Sequence, residues 1–308
     1  MPVPSPSSSS RAPLPWGERV SAHERPDRGA APVPADPPAS LAARLCATDP
    51  CGCARAAVVV AHPDDETVGV GSRLGRLPGA TLVVATDGAP RDRRWWGAPE
   101  HATREAYART RRRELHAALA VAGMRPARVF SLGLVDQEAS YRLVELTRRT
   151  AAALAALGPA WVLTHPYEGG HPDHDAVAFA VHAACRLLER AGRAAPAVVE
   201  FASYHVCAGE IAPLRFLDDD ASAVTALLTP DERALKRRMM ECYATQRETL
   251  RYFPVEVERF RPAPAYDFAR PPHAGRLFYE NFDWGVTGAR WRELARAALA
   301  VLDVCGRV

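Results

Sequence analysis

Val58-Val59-Val60-Ala61-His62-Pro63-Asp64-Asp65-Glu66 ends an apolar run in one imidazole and three consecutive carboxylates. So many ionisable groups at the edge of a core are costly unless a cation sits among them. A second cluster, Thr164-His165-Pro166-Tyr167-Glu168-Gly169-Gly170-His171-Pro172-Asp173-His174-Asp175, also follows an apolar run, Trp161-Val162-Leu163. Two such clusters at the ends of two strands make one metal site.

Outward from these two runs, short apolar stretches alternate with longer amphipathic ones, the pattern of βα units around a parallel sheet. Strands are expected at 56–61, 81–86, 127–132, 161–164 and 197–204, and helices near 67–77, 103–122, 141–157 and 172–191. Gly123 and Gly158 close two of the helices, the latter ahead of Pro159. In such sheets ligands bind outside the carboxyl ends of the strands, where both clusters fall. The alternation stops after residue 205. One helix at 231–250 and another at 288–304 then bracket an aromatic, Pro-rich stretch that wraps over the sheet or the site mouth. The expected fold is α/β, a Rossmann-like three-layer sandwich with a mostly parallel sheet and a C-terminal helical and extended wrap.

Catalytic zinc takes three protein ligands from His, Asp or Glu, at roughly 2.0–2.2 Å, and keeps a fourth position for water. His62 and Asp65 supply two, and His174 is the expected third. Pro172 suits the first position of a helix, which leaves His171 ahead of the helix and His174 in its first turn. Asp64 points to the opposite side from Asp65 and is free to act as a base. Each of these residues taken singly reads as a satisfied cap or loop group, but together they match what oxygen- and nitrogen-preferring metals require.

Asp87 reads as a capping residue, and Asp136 as either a cap or a group that holds a substrate hydroxyl. Trp95 and Trp96 are either packing anchors or a platform for a sugar ring. His165, His182 and His205 read as structural. Gly69, Gly71 and Gly75 mimic a dinucleotide fingerprint, yet the carboxylates at 64–66 would repel a pyrophosphate, so the glycines are assigned to close packing. No G-x-S-x-G elbow of a serine hydrolase occurs.

With 308 residues, 48% of them apolar, the chain can bury a substantial core. A net charge of +3 gives no case for nucleic acid, and Lys236 is its one lysine among many arginines. No stretch of 18 or more consecutive apolar residues exists to span a membrane. The seven cysteines are an odd number, and Cys46, Cys51 and Cys53 lack a C-x-x-C pair, so reduced thiols and a cytoplasmic location are expected. Residues 1–45, rich in Pro, Ser and Arg, are expected to form a disordered tail, leaving 46–308 as one domain.

The boxes His62-Pro63-Asp64-Asp65-Glu66 and His171-Pro172-Asp173-His174 resemble those of the PIG-L/LmbE family of zinc-dependent N-deacetylases. Thr86-Asp87-Gly88, the Arg111 to Glu114 helix, Leu132 to Asp136, and Lys236 to Gln246 are similar to further segments of that family, with Thr245 in place of a Ser. The resemblance covers about residues 56 to 250. It implies His62, Asp65 and His174 as ligands of Zn²⁺, or of another divalent metal such as Fe²⁺. It also implies Asp64 as general base, His171 as second acid/base or oxyanion group, and Arg111 with Asp136 on the substrate. Some members carry a Tyr where this chain has Gly169, which leaves Tyr167 as the substitute to test. The activity implied is removal of an N-acyl group from an amino sugar or glycoside. The alternatives are a zinc amidase for a non-sugar amide and a non-catalytic binding module. The expected partner is a small acylated amine, with no nucleic acid and no membrane.

Overall fold

The computed structural model describes residues 38–46, 56–77, 79–97, 100–125, 128–218 and 221–304. Its strands in chain order are β1 (Ala56–Val60), β2 (Thr81–Thr86), β3 (Val129–Leu134), β4 (Trp161–Thr164), β5 (Ala197–Phe201), β6 (Tyr204–Cys207), β7 (Glu210–Pro213), β8 (Val224–Leu227) and β9 (Val257–Pro262). The main sheet runs β3-β2-β1-β4-β5-β9-β8, parallel through its first five strands, with β9 and β8 antiparallel at one edge. Along β1, Val58 and Val60 enter one apolar core with Leu82 and Val84, while Ala57 and Val59 enter the other with Val83 and Ala85. This is the two-residue period of a strand covered on both faces, and it explains the unbroken apolar run in the sequence.

Helices α1 (Pro38–Cys46), α2 (Asp65–Val70), α3 (Arg104–Val121) and α6 (Pro230–Glu241) contribute to the first core, and α4 (Leu143–Leu157), α5 (Pro172–Arg190) and α8 (Gly288–Leu302) to the second. The result is the three-layer α/β sandwich that the alternation implies. From β1 the chain steps to β2 and β3 on one side, then returns to β4 on the other side of β1. The loops after β1 and β4 therefore flank the switch point of the sheet, where a crevice opens.

Five expectations need correction. Residues 38–45 were assigned to the disordered tail, but they form α1, whose Ala42 and Leu45 are buried; the rest of that tail, with Cys51, Cys53 and Cys305, lies outside the described residues. The helix expected at 67–77 is only α2 followed by a short 3-10 turn at Leu74–Arg76, and the helix at 231–250 breaks after α6 and resumes as α7 (Arg247–Leu250). The strand expected at 197–204 ends at Phe201, and β6 and β7 form a separate hairpin. Finally, β8 and β9 extend the sheet where no strand was expected. The reason is Glu258, a charge on the inward face of β9. It is buried because it accepts from Ser72 N (3.0 Å) and Oγ (2.7 Å) and pairs with Lys236 Nζ at 3.1 Å. Lys236, also fully buried, donates to Val68 O at 2.7 Å, so α6 is tied to the end of α2.

A Cβ on Gly69 would lie 2.2 Å from the Phe201 ring, so the glycine serves helix-to-strand packing. Gly69→Ala is expected to lower stability by about 1–3 kcal/mol through overpacking, read as a fall in denaturant midpoint. No helix among the described residues is long and apolar enough to cross a membrane. Cys46, Cys185, Cys207 and Cys242 are free thiols.

Candidate metal centre and active site

Asp65 is the first residue of α2, so its carboxylate stays at the helix mouth. Its Oδ2 accepts from His62 N at 2.7 Å and lies 3.3 Å from both His62 Nδ1 and His165 Nε2, while Oδ1 lies 3.1 Å from His174 Nε2. Burial alone would raise the Asp65 pKa, but the imidazoles of His174 and His165 hold it well below the carboxylate range. Metal bonds of roughly 2.0–2.2 Å at a tetrahedral angle place ligand atoms roughly 3.3–3.6 Å apart. The spacing about Asp65 comes close to that edge.

His171 and His174 stand where Pro172 at the start of α5 puts them. His171 caps the helix, its Nδ1 accepting from Asp173 N at 3.1 Å; the neutral ring therefore carries its proton on Nε2. His174 faces Asp65 through Nε2 and Ser203 Oγ through Nδ1 at 3.2 Å, and burial lowers its pKa to about 4, the neutral form that a metal binds. The His62 ring lies 4.5 Å from His171 and 5.2 Å from His174.

Among the described residues three trios each bring one ligand atom per residue within 4.8 Å of one another: His62, His171 and His174; Asp65, His165 and His174; and His62, Asp136 and Asp173. The trio named from the sequence, His62, Asp65 and His174, is divided among them. His165 stacks on His174 at 4.0 Å, and its Nε2 accepts from Ala61 N at 3.1 Å, so that lone pair is engaged.

Asp136 and Asp173 sit behind His62, at 3.1 and 3.4 Å from its Nε2. The Asp136 approach is not aligned as a hydrogen bond, and its Oδ1 is buried without a partner. Asp173 also accepts from Gln137 N (2.7 Å) and Ala139 N (3.1 Å), which fixes the loop after β3 against α5. A carboxylate behind a ligating imidazole sets its tautomer and orientation.

Asp64 has φ 132°, a conformation that favours glycine. Strain of this kind concentrates at functional sites. Burial raises its pKa to about 7 against the lowering effect of Arg111. Arg111 lines the cavity and donates Nη2 to Pro63 O (2.6 Å) and Asp64 Oδ2 (3.0 Å) and Nε to Gly88 O (3.2 Å), while its buried Nη1 makes no hydrogen bond and lies 3.6 Å from Glu114 Oε2. It holds Asp64 in place. Asp87, expected as a cap, caps no helix; in the loop after β2 it accepts from Ala89 N (3.1 Å) and pairs with Arg104 at 2.5 Å.

Between these groups lies a cavity of about 190 Å³, walled also by Trp95, Tyr204, Gln246, Phe253 and Trp284. The two tryptophans after β2 part company. Trp96 is buried and stacks on Tyr107 at 5.2 Å, whereas Trp95 faces the cavity. The C-terminal stretch does both things foreseen for a wrap: Phe268 and Trp291 pack into the second core, and Trp284 reaches His171 at 4.6 Å. Tyr167 does not serve as the substitute phenol. It stacks on Trp291 at 5.1 Å with its hydroxyl on Arg270 O, and Gly169 has φ 73° with Leu277 2.8 Å from where a Cβ would lie. Ser203 and Tyr204 were missed, although Ser203 follows the carboxyl end of β5 as the two boxes follow β1 and β4. His205 lies 3.5 Å from buried Glu168, and His182 packs on Tyr266 at 5.3 Å.

A search of curated proteins finds no match. Among solved structures, the deacetylase of an antimicrobial pseudoaglycone is 20% identical with a TM-score of 0.50, covering 68% of this chain and 96% of its own. A deacetylase of the teicoplanin biosynthesis pathway is 17% identical with a TM-score of 0.50, covering 68% and 97%. The N,N'-diacetylchitobiose deacetylase of Pyrococcus horikoshii is 17% identical with a TM-score of 0.44, covering 69% and 85%. At these identities the likeness to the first two is one of fold alone. The family model described as GlcNAc-PI de-N-acetylase, PIG-L, matches residues 57–185. That segment, which holds both boxes and the central strands β1 and β4 that present them, is similar to the PIG-L family.

Proposed function

We propose that the chain is a metal-dependent hydrolase that removes an N-acyl group, in the first place N-acetyl, from an amino sugar or glycoside. The observation that carries this reading is Asp64, a buried carboxyl in the cavity wall held by Arg111 at 3.0 Å, one residue from a carboxylate ringed by imidazoles. The description of the matched family supports the sugar amide.

Zn²⁺ is the proposed metal, held by His62, Asp65 and His174. The donor chemistry fits, because His165 Nε2 and His171 Nδ1 each already accept a backbone N–H. Such an ion supplies Lewis-acid chemistry, acidifying a water to a pKa of about 7 and polarising a carbonyl. Asp64, fixed by Arg111, takes the proton of the attacking water. His171 offers its Nε2–H to the oxygen on which charge develops, and the proton held by Asp64 then passes to the leaving amine. Asp136, whose Oδ1 is buried without a partner, is the proposed acceptor for a substrate hydroxyl. The proposed domain runs from α1 to α8, and the free thiols fit a cytoplasmic setting.

The test is release of free amine from a panel of acylated amino sugars and acyclic amides by zinc-loaded protein. Hydrolysis of none of them would overturn the reading. Asp64 must be deprotonated to act, so kcat/KM is expected to rise with pH along an acid limb at or below about 7, since a cation beside the carboxyl can only lower its pKa. An acid limb that persists unchanged in Asp64→Asn would exclude Asp64 as the group that titrates.

A further inference from the structure

The backbone of Asp64 is strained at φ 132° and its side chain is buried. Such a conformation persists only where the surroundings over-determine it. Two tethers do so. The first acts on the backbone: Asp64 N donates to Glu66 Oε2 at 3.0 Å, and Glu66, fully buried, accepts at Oε1 from Thr67 Oγ1 (2.6 Å) and Tyr243 Oη (2.5 Å). The second acts on the carboxylate. Arg111 donates to Asp64 Oδ2 and pairs through Nη1 with Glu114 Oε2 at 3.6 Å, and Glu114 in turn accepts from Thr245 Oγ1 (2.6 Å) and Thr245 N (2.9 Å).

Both tethers end on one short segment. Tyr243 precedes and Thr245 occupies the 3-10 turn Ala244–Gln246, between α6 and α7. Gln246 reaches the cavity, whereas Tyr243 and Thr245 stay buried behind its wall. The segment is carried by α6, which Lys236 ties to the end of α2, so its hydroxyls are held at a fixed distance from the loop that bears Asp64. Removing either hydroxyl leaves a buried carboxylate short of a donor. Glu66 or Glu114 would then turn toward other donors, and Asp64 would move with it. Resting on the reading of Asp64 as the base, we infer that Tyr243 and Thr245 are positioning residues: from one turn they fix the backbone and the carboxylate of Asp64 together.

The experiment measures kcat and KM for Tyr243→Phe, Thr245→Val and Thr245→Ser, alone and combined with Asp64→Asn, on the panel substrate that wild type turns over fastest. Tyr243→Phe and Thr245→Val alone are each expected to lower kcat about tenfold with KM changed by less than about twofold, since misplacing a reacting group costs rate rather than binding. Thr245→Ser keeps the hydroxyl and should stay within about threefold of wild type. Combined with Asp64→Asn, the same substitutions are expected to cost less than about twofold further, because the group they position can no longer take a proton. A purely structural role gives equal losses with and without Asp64→Asn, and that result would overturn the inference. So would an unchanged kcat in both Tyr243→Phe and Thr245→Val, or loss of metal from either, which would place their effect on the ligands. Exchange of the Asp64 amide proton, followed by NMR on protein carrying isotope-labelled aspartate, needs no substrate. Should wild type hydrolyse nothing, the hydrolase reading falls and this exchange alone decides the tether: a rate about tenfold faster in Tyr243→Phe supports it, and an unchanged rate removes it.

Discussion

Asp64→Asn is expected to keep its full complement of metal while amide hydrolysis falls by about 10²–10⁴, the usual contribution of a positioned acid or base. The amide fills the same space and still accepts from Arg111, which lies 3.0 Å from the carboxylate, so the fold around α2 has no cause to shift. What is lost is the ability to hold a proton. Elemental analysis beside a turnover assay checks both halves, and near wild-type turnover with metal bound would remove Asp64 from the mechanism.

The two histidines of the second box are expected to part when each is replaced by alanine. His174→Ala should fall from about one metal per chain to near none, since a site that loses one of three protein ligands retains its ion poorly. His171→Ala should keep the metal and lose kcat far more than it raises KM, because its Nδ1 is already engaged by the Asp173 N–H and its Nε2–H points to work on the substrate. A metal-free His171→Ala protein would make His171 a ligand and assign the hydrogen bond to the developing oxyanion to another group.

The central strands and both boxes were legible because they obey short-range rules. An apolar run buried on both faces reads directly as a parallel strand, and Pro172 marks a helix start whatever surrounds it. The edge strands were not legible, because β9 places Glu258 inward and its alternation makes sense only once Lys236 and Ser72 are beside it. The same holds at the site. The ligand candidates could be read from spacing, but the engaged lone pair of His165, the support that Asp173 gives His62 and the tie from Arg111 to Asp64 are contacts across 47 to 111 residues of chain, with no local signature. Trp95 and Trp96 show the limit most plainly: adjacent and chemically identical, they go to the cavity and to the core because the turn at Arg93–Trp95 aims them apart.

The burial of Lys236 has a consequence for chemistry applied from outside. The chain has one lysine, and in the folded state its ε-amine is enclosed by Val68 O and Glu258. An amine-reactive ester added to native protein will therefore find no side-chain target until α6 lifts from α2. The rate at which that single ε-amine acquires a label becomes a clock for this opening, read by mass spectrometry as one added mass on one peptide, with no competing lysine to blur it.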